Sequence, residues 1–511
     1  MPDCDHFLMK PSLACYNRSM RILSKTWFIL LSIGSFCLAG PSPFSSILFE
    51  GETGDISSGS SSGDGCRDHQ GERNPASLTD VTAERMCVLE ADIPSLVSEI
   101  RGGKALTKSR TWRTPPYSDQ TEALGYSESA FAVPVGMESV VNFWIDIYTK
   151  YTTDQGVIHD TEDLGIIYET VDFSDIMTDV SLNRFQKATQ REKRVDSLKK
   201  KFQAMLLKLQ SQENDENLSD EEKRIWNAFV KNENKNKFKE AAENSRVRFQ
   251  LGQKDKIESA IFYSGRYLED MEEIFKESGL PVELTRIAFV ESSFNVLARS
   301  KAGASGVWQI MPYVAKRKVT PALDWRNHPL EATRIAAKML KANYGMLESW
   351  PLAVTGYNHG PTGVKNLTLK FKTREISELV ANVRSKTFGF ASRNFYACFL
   401  AILQVERDTS KYYPSAVWSE KLDMAELTLP KAVSYKEVLT WFDGHDERAQ
   451  VFNPHITSLV RTGKAKIPAR SKLWVPREKL EEVQSSFGKG KKARPVATRE
   501  EKATPKSHPE L

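Results

Sequence analysis

The side chain best placed to do chemistry is Glu291, in the stretch FVESSFNVLARSKAGASGVWQIMP that begins at Phe289. The approach VELTRIAFVE sets Leu284, Ile287, Ala288 and Glu291 at spacings of three, four and seven, which on a 3.6-residue helix is one face. A carboxylate then points where a leucine is expected. Apolar surroundings disfavour its charged form, so its pKa rises and it can hold a proton to donate to a leaving oxygen. A buried glutamate paired with an arginine would leave the same trace. The neighbours favour chemistry: Ser300 and Gln309 offer hydrogen bonds suited to hydroxyls and amides, Gly303 and Gly306 let backbone approach a ligand, and Trp308 would supply a flat apolar surface. A sugar carrying N-acetyl groups presents complementary features. Further on, GYNHGPTGV sets Tyr357 and Asn358 against a turn punctuated by Gly360, Pro361 and Gly363, and predicts a polar aromatic in an irregular wall.

Three motifs in this order, FVESSFN, ARSKAGASGVWQIMP and GYNHG, resemble the lytic transglycosylases of glycoside hydrolase family 23, within the goose-type-lysozyme superfamily, and among them the membrane-bound murein transglycosylase D type. The resemblance covers residues 276–412. It implies a lysozyme-like helical catalytic domain that cuts the bond between N-acetylmuramic acid and N-acetylglucosamine in peptidoglycan, without a cofactor. It makes Glu291 the sole catalytic acid/base, with Ser300, Gly306, Gln309, Met311, Tyr357 and Asn358 as substrate-binding positions. One carboxylate then suffices where ordinary glycosidases use two. The muramic acetamido group would stabilise charge at C1, and Glu291 would take the proton from the C6 hydroxyl of the same sugar, closing a 1,6-anhydro ring. Tethering the attacking hydroxyl to the electrophile replaces an activated water. Tyr357 would orient Glu291 or share its proton.

The chain also departs from that pattern. FGFASRNFYACFLAIL puts Ala391 and Ser392 where relatives carry a Glu-Thr pair, which removes an auxiliary carboxylate and leaves Asn394 or Tyr396 as a substitute cleft contact. DWRNHP, with Asp324, Arg326 and His328, stands where relatives are more acidic; its histidine reads as a loop residue without metal-ligand company, and no metal site is visible in the sequence. Three functional readings therefore stand: a lytic transglycosylase, a hydrolysing muramidase on the same fold, and a glycan-binding scaffold.

The elements around these motifs read as mainly α. Positive Arg18, Arg21 and Lys25 precede an apolar run from Trp27 to Leu38, so residues 1–39 are expected to be a signal peptide directing export to the periplasm or envelope; left uncleaved, the segment would tie the protein to a membrane. Residues 40–127, with GDISSGSSSGDG, read as a flexible linker in which Cys66 and Cys87 could pair. Residues 128–275 read as a helical accessory region: Val140, Val141, Trp144, Ile145 and Tyr148 share a helical face, and IYETVDFSD is a strand or a helix start. Val195, Leu198, Phe202, Met205 and Leu209 repeat at three and four, predicting a helix hairpin packed against the catalytic domain, and Ser219 with Glu222 forms a capping box. Cys398 reads as a small buried hydrophobe. Residues 424–477 resemble a LysM module, carried by ELTLP, a second capping box at Ser434 and Glu437, FNP and LWVP, and 478–511 read as a disordered basic tail. With 511 residues, 40% hydrophobic and 27% charged content and a net charge of +5, the composition is that of globular domains and gives no ground for nucleic-acid binding; the partner implied is peptidoglycan glycan, with oligomeric state undetermined.

Overall fold

A computed structural model describes residues 131–487 of the chain; the expected signal segment, the linker with Cys66 and Cys87, and the basic tail lie outside these residues. The described part is mostly helical. Helix α1 (Glu138–Thr149) runs along the long helix that ends the catalytic region, and Trp144 and Tyr148 on it are fully buried. Strands β1 (Gln155–Asp160) and β2 (Ile167–Asp172) form an antiparallel pair, and β3 (Val247–Leu251) pairs antiparallel with β1 on its other side, giving the order β2-β1-β3. The stretch expected to be helical thus also contains a sheet. Strand β2 falls on IYETVD, one of the two readings offered for that stretch, whereas β1 escaped the sequence reading because it is short and central: Val157, Ile158, His159 and Asp160 are all buried, so the alternation of a half-exposed strand is absent.

Between β2 and β3 lies α2 (Arg184–Gln210), whose Phe202, Leu206 and Leu209 pack with Tyr168 and Phe249 of the sheet and with Phe229 and Phe238. The predicted apolar stripe is real, but it covers the sheet rather than the catalytic region, because the sheet exposes an apolar face that periodicity in the helix alone does not reveal. The capping box at Ser219 and Glu222 forms as predicted.

The principal core gathers α1, α3 (Lys254–Ser264), α4 (Leu268–Glu277), α5 (Ile287–Ser292), α6 (Pro329–Leu347), α7 (Trp350–His359), α8 (Pro361–Phe371) and α9 (Phe390–Arg407). Trp144 and Tyr148 share this core, and the Trp144 indole donates to Asn394 Oδ1 at 2.9 Å. The start of the accessory region is therefore continuous with the catalytic core. Arg393 reinforces the union with two hydrogen bonds to Glu162 in the β1–β2 turn, at 2.7 and 3.0 Å.

The C-terminal unit has its own core of residues such as Val433, Val438, Phe442 and Val475. Strand β4 (Met424–Thr428), helices α10 (Tyr435–Thr440) and α11 (Asp446–Phe452), and strand β5 (Lys472–Pro476) follow in order, and β4 pairs antiparallel with β5. Ser434 and Glu437 cap α10 reciprocally, as expected. No helix among the described residues is long and apolar enough to cross a membrane.

Candidate active site

Glu291 arrives on a segment buried on every side. Val282–Arg286 form a 3-10 turn that runs into α5, and all residues from Val282 to Ser292 are buried. The polar members are handled individually. The Arg286 guanidinium bonds Glu406 through Nε at 2.8 Å and through Nη2, and Glu272 at 2.5 Å. Thr285 donates to the Val282 carbonyl at 2.7 Å. Glu291 has no such arrangement: it is 3% exposed, its Oε2 has no hydrogen-bond partner, and burial pushes its pKa well above the usual carboxylate range. A carboxyl that is desolvated and unpaired keeps its proton. The arginine-paired alternative belongs to Glu406, not to Glu291.

The chain then turns sharply. Ser293 and Phe294 take positive φ angles of 49° and 60°, conformations uncommon outside glycine, and send the backbone away from the helix. Ser292 anchors the turn by donating to the Ala288 and Val307 carbonyls at 3.2 and 3.0 Å. In the loop that follows, Ser300 Oγ accepts from the Ala304 amide at 3.0 Å, folding residues 300–304 into a tight turn. Isolated bridges from Ser305 to Arg299 and to Ile310 close the loop on itself. Gly306, at φ 79°, lies so near the Arg326 carbonyl that an added Cβ would stand 1.9 Å from it. Only glycine meets both demands.

Arg326 is the fastener of this loop. Its guanidinium is buried, paired with Asp324 at 2.7 Å, and donates to the carbonyls of Gly303 and Ile310 at 2.7 and 3.0 Å. The motif DWRNHP, singled out in the sequence only as a departure, therefore holds the candidate site in shape. A buried arginine that satisfies backbone carbonyls leaves no periodic signal in a sequence.

Gln309 completes the loop at φ 44° and is 5% exposed. Its amide nitrogen donates to the Ala298 and Gly306 carbonyls, whereas Oε1 is buried without a partner. A strained residue with an open acceptor has an oxygen that a donor brought by a ligand could satisfy. Met311, half-buried, caps the short turn that begins at Pro312.

Tyr357 and Asn358 stand on the last turn of α7, a helix rather than the irregular wall expected. Gly360, at φ 91°, ends it, and Pro361 opens α8 at once, so the turn falls at Gly360 as expected while Gly363 lies inside α8. Tyr357 is half-buried, and burial first, then Glu291 nearby whenever that carboxyl is ionised, raises its phenol pKa. Its hydroxyl proton is directed to the Trp308 carbonyl at 2.9 Å, not to Glu291. The phenol oxygen is thereby left as an acceptor. Asn358 Oδ1 accepts from Ser392 Oγ at 3.0 Å, and Ser392 also lies 3.2 Å from His359 Nδ1. Ser392 thus orients Asn358.

Three sequence expectations change. Trp308 is no sugar platform: it is fully buried, stacks on Phe275 at 5.6 Å and 7°, and donates to Thr333 Oγ1 at 2.8 Å, because an indole so placed fills core volume between α4 and α6. Asn394 does not reach the cleft, being committed to Trp144 and to the Phe390 carbonyl, and Tyr396 is 1% exposed in the core. His328 lies in the bend that leads into α6, as expected of a loop residue, but it is buried and not a lone side chain. It stacks on Trp474 at 3.7 Å between ring centroids and meets His455 edge-on at 5.1 Å, joining the C-terminal unit to the catalytic region. Cys398 is free and buried, as expected.

With this geometry in view, comparison with known proteins is direct. Residues 272–380 match the family model described as Transglycosylase SLT domain, a span that includes Glu291, the loop to Met311, and Tyr357. The membrane-bound lytic murein transglycosylase D of Escherichia coli (strain K12) is 26% identical over 199 residues, covering 37% of this chain and 43% of its own length. A putative tributyltin chloride resistance protein of Alteromonas sp. (strain M-1) is 28% identical over 125 residues, 22% of this chain and 60% of its own. The chain thus matches less than two thirds of the length of either relative.

Proposed function

Since residues 272–380 form a transglycosylase SLT domain, we propose that the chain is a peptidoglycan lytic transglycosylase of the cell envelope, which cleaves the β-1,4 bond between N-acetylmuramic acid and N-acetylglucosamine and leaves 1,6-anhydro ends. The observation that carries this reading is a protonated carboxyl in an apolar seat: Glu291 is buried, its Oε2 has no partner and burial alone raises its pKa, whereas Glu283, also buried and raised, has the charges of Arg286 and Glu406 acting on it, and the sequence from Ser292 to Leu323 contains no carboxylate. A hydrolase of the two-carboxylate type would want a second acid within reach to activate water or attack C1.

The reaction needs one group that gives and then takes a proton. Glu291 donates its proton to the glycosidic oxygen as the C1–O bond breaks, and the substrate's acetamido oxygen stabilises the charge at C1. The carboxylate so formed is disfavoured in its apolar seat, which makes it a strong base toward the C6 hydroxyl of the same sugar. That oxygen bonds to C1, its proton returns to Glu291, and no water is consumed. Gln309 Oε1 and the Tyr357 oxygen face this step as open acceptors, one without any partner and the other with its proton turned away. They suit amide and hydroxyl donors of the sugar, with Ser300, Gly306, Met311 and Asn358 as the remaining contacts.

We read the C-terminal unit, from its strand-helix-helix-strand order, as a LysM-like module, and the N-terminal segment as an export signal. Mass spectrometry of digested sacculi tests the chemistry: anhydro products are lighter by one water than hydrolysed ones. Products with reducing ends would instead assign a hydrolysing muramidase, and no cleavage would assign a scaffold.

A further inference from the structure

The charge of this chain is strongly segregated. From Ser292 to Leu323 there are five cations, Arg299, Lys301, Lys316, Arg317 and Lys318, and no carboxylate; from Ser349 to Arg374 there are four more, Lys365, Lys370, Lys372 and Arg374, again without one. The whole chain carries a net charge of only +5, so the remainder is net acidic. These two segments are the ones that bear Ser300, Gln309, Tyr357 and Asn358.

Most of this charge is free to meet a ligand. Lys318 is paired with Glu331 at 3.0 Å, but Arg299, Lys301, Lys316 and Arg317 are exposed and make no ion pair among the described residues. The fold brings them together: Arg299 and Lys301 flank Ser300, and Gly303 of the same turn lies 3.9 Å, measured from its would-be Cβ, from Pro312, which opens the turn leading to Lys316 and Arg317. Arg326 holds both sides through the Gly303 and Ile310 carbonyls. Lys316 is itself fixed at φ 40°. Tyr313, which lies between the two cation pairs in sequence, is 72% exposed.

We propose that this cationic rim binds the carboxylates of the peptide stems carried by the glycan, so that the protein selects stem-bearing, charged strands. The inference rests on the proposed peptidoglycan substrate. The glycan backbone asks only for hydrogen bonds and apolar contact, which Ser300, Gln309, Tyr357 and Asn358 offer as neutral groups. Unpaired cations on the same segments have no use for the sugars themselves. Stems are attached to muramic acid, every second sugar, and carry free carboxylates at their α-carboxyl and terminal positions. Exposed pairs of this kind are individually weak and salt-sensitive, so selection arises from several acting together.

The test uses the full chain carrying Glu291→Gln, which binds without turnover, and intact sacculi, either untreated or with their carboxylates converted to methylamides by carbodiimide coupling. Co-sedimentation at low ionic strength is expected to show about tenfold tighter binding to untreated sacculi, a difference that shrinks as salt shortens the screening length. Adding Lys301→Glu and Arg317→Glu should remove most of that preference, and Lys301→Gln with Arg317→Gln about half of it, with unfolding temperatures unchanged because both side chains are exposed and unpaired. Equal binding to the two sacculi, or a preference that survives charge reversal, would overturn the rim. So would equally tight binding to vesicles of anionic phospholipid, which would make the rim a membrane contact. The chemistry is read separately on the unmodified chain: anhydro products without a charge preference sink the rim alone, and a charge preference without anhydro products sinks the transglycosylase reading alone.

Discussion

Glu291 concentrates the chemistry into one titration. Its folded pKa lies above the ordinary value, so over the range above about 4.5 the unfolded chain releases this proton while the native chain keeps it. The native state then binds more protons, and this residue's contribution to stability falls as pH rises toward the folded pKa. Glu291→Gln removes that dependence while keeping the shape. The variant is therefore expected to melt no lower than the parent, with an advantage that grows from pH 4.5 to 7 in a calorimetric series. Turnover should drop by about three orders of magnitude or more, since an amide has no acidic proton to give to the leaving oxygen, while sacculi are still bound. Near-parental anhydro product release by this variant would move the acid to another residue. Activity of the parent chain should fall on the alkaline side as the carboxyl loses the proton it must donate.

At the scale of elements, the loop from Ser293 to Met311 is held open against its own preferences, by positive φ at Ser293, Phe294 and Gln309 and by the Arg326 fastener. Gly306→Ala tests that arrangement. A methyl directed at the Arg326 carbonyl, at a φ of 79°, has nowhere to go, and a loss of about 2–4 kcal/mol is expected from clash and backbone strain together. Denaturant unfolding would register it, and a loss below about 0.5 kcal/mol would mean that the loop moves freely. The same loop shows what a sequence can tell. The apolar spacing that singled out Glu291 reflects a buried segment, and burial is what periodicity reports. Capping boxes at Ser219 and Ser434 are local hydrogen-bond patterns and were equally legible. Arg326, Ser392 and the stacking of Trp308 on Phe275 depend on residues distant in the chain, and no local spacing encodes them. Strand β1 was invisible for a related reason: buried on both faces, it has no alternation to read.

For the whole molecule, the decisive joint is the one between the catalytic region and the C-terminal unit. The Asp324 amide donates to the His455 carbonyl at 2.7 Å, the Thr457 amide to the Ala322 carbonyl at 3.1 Å, and the rings of Trp325, His328, His455 and Trp474 interlock between them. Burial holds both imidazoles neutral: His455 is lowered to about 3, and His328 well below its ordinary 6.5, with the other histidine and Arg334 adding repulsion. Asp324, the only carboxylate acting on the pair, favours a charged His455 but is already engaged by Arg326. Below pH 6.5 the unfolded chain takes up protons that the native joint refuses, down to about pH 3 at His455, so stability must fall as pH drops through that window. His159, buried on β1 and also lowered to about 3, adds a parallel loss that leaves the joint intact. The two losses separate by calorimetry, because the C-terminal unit has a core of its own. One cooperative transition is expected at pH 7.5, and two by pH 4.5 as the unit detaches and melts independently. His328→Gln with His455→Gln, neutral at every pH, should weaken the joint at pH 7.5 by losing ring stacking and yet make the separation of transitions independent of pH. If the parent keeps a single transition with a flat melting temperature from pH 7.5 to 4.5, the two histidines are charged or solvated in the native state and the joint is not closed as drawn here.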